Sequence, residues 1–177
     1  MRLDEQLNSE DSYRALLERF LGILTPLEAN LSRFEWPADL AYPKRARAHH
    51  LARDLVQLGH SPASVAGLPR CRDLPAPTTR SAAFGQLYVL EGSTLGGRVI
   101  LRSVKDRLGR DASSGAAYFA GYGAATGAMW SGFLASLERH VTGAEAVEEA
   151  VSGALDTFAA FDRWFGEVPP WLTRPGS

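Results

Sequence analysis

The stretch LYVLEGSTLGGRVI, from Leu87 to Ile100, decides the fold. It lies inside a run from about Ser81 to Leu108 that reads as one long helix, yet it carries Gly92, Gly96 and Gly97, with Gly85 just upstream. Each glycine costs ~1 kcal/mol relative to alanine in a helix interior. Three of them within six residues need a reason, and two are available. Small residues let two helix backbones approach closely. Alternatively, the backbone must come near a flat ligand, with no side chain in the way and a kink to open the helix. The residues alone leave both readings open.

Working outward, the pattern is helical throughout. Ser9 is placed to cap a first helix in which Tyr13, Leu16, Leu17, Phe20, Leu21 and Leu24 share one face, with Leu27 and Leu31 continuing the stripe past Pro26, where a bend or break is expected. A second helix is predicted from about Pro43 to Leu58, stopped by Gly59. It turns Leu51, Leu55 and Leu58 inward and presents Lys44, Arg45, Arg47 and Arg53 as a basic remainder. Four prolines between Gly59 and Thr79 predict a long loop without regular structure. After the Gly- and aromatic-rich YFAGYG, a further helix places Met129, Trp130, Phe133, Leu134 and Leu137 at helical spacing. Thr142 and Glu145 match a capping box for the last helix, whose buried stripe is predicted to be Val147, Val151, Ala154, Leu155, Phe158, Phe161 and Phe165. No segment alternates with period two between turns. The fold class expected is all-α, one domain over residues 1–177.

Of the 177 residues 45% are hydrophobic and 22% charged, as in an ordinary globular protein, and the net charge of −1 lacks the basic footprint of a nucleic-acid binder. One cysteine, Cys71, forms no internal disulfide and gives no support to a Cys-based metal site. The polar N-terminus and the lack of a long apolar run predict a soluble, cytoplasmic protein without a membrane span.

The segment LYVLEGSTLGGRVI is similar to the distal helix of bacterial heme oxygenases, especially those found with bacteriophytochromes. The similarity extends through DLVQLG from Asp54, FAGYGAATGAMW from Phe119, FLASLE from Phe133 and DTFAA from Asp156. The resemblance implies a helical domain in which heme lies between a proximal helix and a glycine-kinked distal one. It implies a reaction in which O2 and reducing equivalents open heme to biliverdin, CO and ferrous iron. Heme is then substrate and cofactor, biliverdin a product or ligand, and a reductase or a bacteriophytochrome a partner. Gly92, Ser93, Gly96 and Gly97 become the candidate tetrapyrrole contacts, with Tyr88 and Tyr122.

Two departures qualify this. The family's proximal histidine precedes an Arg-x-Asp or Arg-Leu-Asp stretch, and this chain reads Met1-Arg2-Leu3-Asp4, so the expected position falls at or before Met1. No histidine occurs before His49. The arginine that in many members pairs with a heme carboxylate is replaced by Ser131, whereas serine at Ser93 also occurs in phytochrome-associated enzymes. No catalytic residue and no metal ligand is therefore assigned. The expectation is a truncated or degenerate member with impaired turnover, or else a non-catalytic heme-, bilin- or partner-binding protein on the same scaffold.

The other candidates read as structural. His49 and His50 fit a solvated helix face, His60 a loop start, and His140 a helix C-terminus, where an imidazolium suits the dipole. Glu91 reads as structural. Glu145, Glu148 and Glu149 lack the Glu-x-x-His motifs of a di-iron bundle. Trp130, Trp164, Phe158 and Phe161 read as core.

Overall fold

In a computed structural model, the structure describes residues 7–166. Seven α-helices stand among the described residues: α1 Glu10–Leu31, α2 Ala48–Gln57, α3 Pro62–Gly67, α4 Arg80–Leu108, α5 Ala117–Ala120, α6 Thr126–His140 and α7 Ala144–Gly166. No strand occurs among them, and none of their helices is long and apolar enough to cross a membrane.

Ser9 caps α1 as expected, accepting from the Ser12 N–H at 3.1 Å. The break expected at Pro26 does not occur, and α1 continues to Leu31. Proline removes the N–H that would bond the Gly22 carbonyl, but that oxygen accepts instead from the Cys71 N–H at 2.9 Å. A segment distant in sequence thus satisfies the group that proline orphans. Its apolar stripe, Tyr13 to Leu31, is buried apart from the half-buried Phe20.

Three expectations are corrected nearby. The second helix starts at Ala48, because Ala41 takes a left-handed turn (φ 49°) and Tyr42–Lys44 form a 3-10 turn instead. The Glu28 carboxylate accepts the N–H groups of Arg47 and Ala48 and so fixes this start. Arg45 and Arg47 are not part of an exposed basic face: they are 5% and 4% exposed. The proline-rich stretch is also not wholly irregular. Pro62 occupies the first turn of α3, where its missing N–H has no helical partner to lose, and Ser61 caps it.

Helix α4 runs unbroken from a Thr79 cap through all four glycines. Along its glycine segment the Ser93 and Thr94 hydroxyls donate back to the carbonyls of Leu90 and Glu91, both at 2.7 Å. Helix α7 packs along α4. Gly143, not Thr142, stands at the start of α7, its carbonyl accepting from Val147 N, so the Thr142–Glu145 capping box is out of register.

The largest correction concerns α7. Its buried residues are Ala150, Gly153, Thr157 and Ala160, while Val147, Val151, Leu155 and Phe158 are 47–61% exposed. Phe161 and Phe165 are partly buried, as are Trp130 and Trp164, whereas Phe158 is not core. The small face of α7 goes inward because α4 presents glycine there. A Cβ on Gly85 would overlap the Ala150 carbonyl, and one on Gly153 would overlap that of Ala82.

Candidate functional site

Tyr88, Gly92, Leu95, Gly96 and Val99 recur at i, i+4, i+7, i+8 and i+11, which places them on one face of α4. That face is open. Tyr88, Leu95 and Val99 are 39%, 48% and 67% exposed, values unusual for large apolar side chains so close together. A Cβ on Gly96 would meet nothing within 4 Å, and one on Gly92 would touch only the Trp130 ring at 3.8 Å. The face continues onto α7 through an apolar groove of about 380 Å³, where Tyr88 and Leu137 lie against Val147, Val151, Ala154 and Leu155.

The three clustered glycines therefore divide between the two readings of the sequence. Gly97 is a packing glycine: a Cβ there would come 2.7 Å from the Phe119 carbonyl oxygen of α5. Gly92 and Gly96 have no such neighbour and leave the helix surface flat. Ser93 is exposed on the flank, beside a smaller cavity that it shares with Arg47 and Tyr118.

Beneath this face lies a buried polar cluster that composition did not reveal. Glu91, 1% exposed, accepts from Arg45 Nη1 and from the Tyr122 hydroxyl, both at 2.5 Å. Arg45 also donates to the carbonyls of Leu40 and Met129. These bonds tie the segment before α2 and the start of α6 to α4, which supports the structural reading of Glu91. Tyr122, expected among the tetrapyrrole contacts, turns its hydroxyl inward to Glu91. Burial, and then the Glu91 charge, push that phenol well above its ordinary range. Among the six candidate contacts the structure thus brings Tyr88, Gly92 and Gly96 onto one open face, sets Ser93 at its edge, and places Gly97 and Tyr122 in packing and hydrogen-bonding roles.

The macrocycle of heme is flat and apolar, and the face formed by Gly92, Gly96, Leu95 and Val99 fits such a body. An iron ligand is a different matter. His60 bonds Glu18 and Ser64, and His140 bonds Asp39. His49 and His50 lie on α2, which packs on α1 and α5. Burial holds the half-buried His50 below its ordinary pKa, favouring the neutral ring. None of the four lines the groove, and no group of three or more metal-ligating side chains occurs among the described residues. The Met1–Asp4 stretch, at or before which the resemblance places the proximal histidine, lies outside those residues. Ser131 is exposed on α6.

Leu95, Val99 and the α7 stripe belong to the face and were missed by the sequence reading. Continuing the spacing of Gly92 and Gly96 along α4 would have found the first two. The buried Arg45 and Arg47 carried no sequence signal.

No solved structure matches the chain. A heme oxygenase of Xanthomonas campestris pv. campestris (strain 8004) is 34% identical over 155 residues, covering 85% of this chain and 87% of that protein. The heme oxygenase family model matches residues 3–167, a span that takes in every described helix, and with it the glycine-lined helix and the all-α frame around it find their place: the chain belongs to the heme oxygenase family.

Proposed function

We propose that the open face of α4 is a tetrapyrrole-binding face that takes heme, and that heme cleavage to biliverdin, CO and ferrous iron is the reaction to which it is suited. The observation that supports this most is the exposed apolar surface around Gly92 and Gly96, with nothing above Gly96 within 4 Å. A planar ligand laid there covers Leu95 and Val99, and burying apolar area stabilises the complex by about 25 cal/mol per Å². When bound, heme itself supplies the redox chemistry. This chain's residues supply a flat backbone surface, an apolar border that excludes water, and the Ser93 hydroxyl at the edge. Electrons come from a reductase, and a bilin held or made on this face suits delivery to a bacteriophytochrome.

Binding and turnover separate in this reading. The four histidines are engaged or placed elsewhere, and Ser131 offers no charge to a heme carboxylate. A charge-assisted hydrogen bond contributes roughly 1.5–3 kcal/mol, so its loss weakens binding by about tenfold or more. Turnover by this chain is therefore impaired, and a non-catalytic heme- or bilin-binding role is the second reading. The test supplies ferric heme with ascorbate or a reductase system and follows loss of the Soret band with appearance of biliverdin. Slow or absent biliverdin release is expected. Rapid, stoichiometric release would overturn the impairment and call for alanine substitutions at His49, His50, His60 and His140.

A further inference from the structure

Arg47 is 4% exposed, and among the described residues no carboxylate lies within ion-pair distance of its guanidinium. The two nearby carboxylates make no direct contact with it, although the Glu28 charge attracts it. Glu28 accepts from the backbone N–H groups of Arg47 and Ala48, and Glu91 from Arg45 and Tyr122. Nη2 donates to the Leu90 carbonyl at 2.8 Å, while Nε has no acceptor. The rings of Tyr118 and Tyr122 lie 5.3 and 5.5 Å from the guanidinium carbon. Guanidinium N–H groups point outward in its plane, so a ring over the cation does not supply the acceptor that Nε lacks.

The same side chain lines a cavity of about 70 Å³ with Ser93, Ile100, Tyr118, Phe119 and Phe20. A water occupies roughly 30 Å³ in the liquid, so this space admits two waters or one small anion. Its walls are otherwise mostly apolar. A buried cation with free donors is stabilised far more by a charged acceptor than by a neutral one, because charge-assisted hydrogen bonds are roughly twice as strong. Ser93 and Tyr118 line the same cavity and bring their hydroxyls to its wall.

We propose that this cavity is a small-anion site, taking a monovalent inorganic anion such as chloride or nitrate, with the Arg47 guanidinium as its principal donor. The site lies on the flank of α4 next to the open glycine face, but it does not depend on tetrapyrrole binding.

The test is chloride-35 NMR line width measured on the whole protein at fixed ionic strength. The parent should broaden the chloride resonance saturably, and added nitrate should restore the narrow line. Arg47→Met should lose about tenfold or more in affinity, as expected for removing a charge-assisted hydrogen bond. Should Arg47→Met not fold, Ser93→Leu decides. Leucine is a good helix former and fills the cavity mouth, so this variant should keep the parent's Tm and lose the broadening. Equal broadening by the parent and Ser93→Leu, or none by the parent, would overturn the proposal.

Discussion

Gly85 of α4 and Ala150 of α7 meet backbone against backbone, with no room between them for a single methyl group. Gly153 and Ala82 repeat the arrangement one turn away. This contact decides which side of α7 faces inward, and so leaves Val147, Val151, Leu155 and Phe158 on the surface. Gly85→Ala and Gly153→Ala should each destabilise the protein by roughly 1–3 kcal/mol, the usual penalty of overpacking. Urea unfolding measures it, and a stability equal to the parent's would show that the helices part without cost.

The outward stripe of α7 gives the complementary expectation. Leu155 is 61% exposed, so Leu155→Glu should change stability by no more than about 0.5 kcal/mol. A loss of several kcal/mol in thermal or urea unfolding would restore the buried stripe that periodicity alone predicts.

These two cases show what was legible in the sequence. Helical periodicity located α1, α4, α6 and α7, and the glycine pattern located the face. Periodicity reports that a helix has an apolar stripe, but not whether a neighbour covers it. On α7 the glycines of α4 reward the small residues instead, so the larger stripe was misassigned. Arg45, Arg47 and the Glu28 cap escaped for a different reason. Their partners lie far away in the chain, and a charged residue read singly is taken for surface. Pro26 misled because the Cys71 N–H that satisfies Gly22 is 49 positions away from it.

The Arg45–Glu91 pair sets a third expectation. Their side chains are 3% and 1% exposed. Glu91→Ala would leave a buried arginine without its counter-ion, and should cost roughly 3–5 kcal/mol. A loss below about 1 kcal/mol in urea unfolding would mean that water or a rearranged side chain replaces the carboxylate.

Asp111 gives a pH-dependent one. Its carboxylate accepts from the Ser113 N–H and hydroxyl and from the Ser114 hydroxyl. These bonds, the Ser113 hydroxyl first, hold it down from an ordinary 3.8 to about 2. A carboxylate depressed in the folded state adds stability that is complete above its unfolded value. That stability is lost as pH falls toward the folded value. The parent should therefore be more stable than Asp111→Asn at pH 5, with the gap closing between pH 4 and about 2. A gap independent of pH would contradict this.

The central claim is that the open face of α4 receives a tetrapyrrole, and Gly96 tests it most directly. Space above Gly96 is free and leucine favours helix, so Gly96→Leu should fold with a Tm no lower than the parent's. The decisive measurement is an absorbance titration of both proteins with hemin and, separately, with biliverdin. The account predicts saturable spectral shifts with the parent and affinity at least about tenfold weaker with Gly96→Leu, as the side chain lifts the ligand from the helix. Equal affinity of the two proteins for both ligands would contradict it.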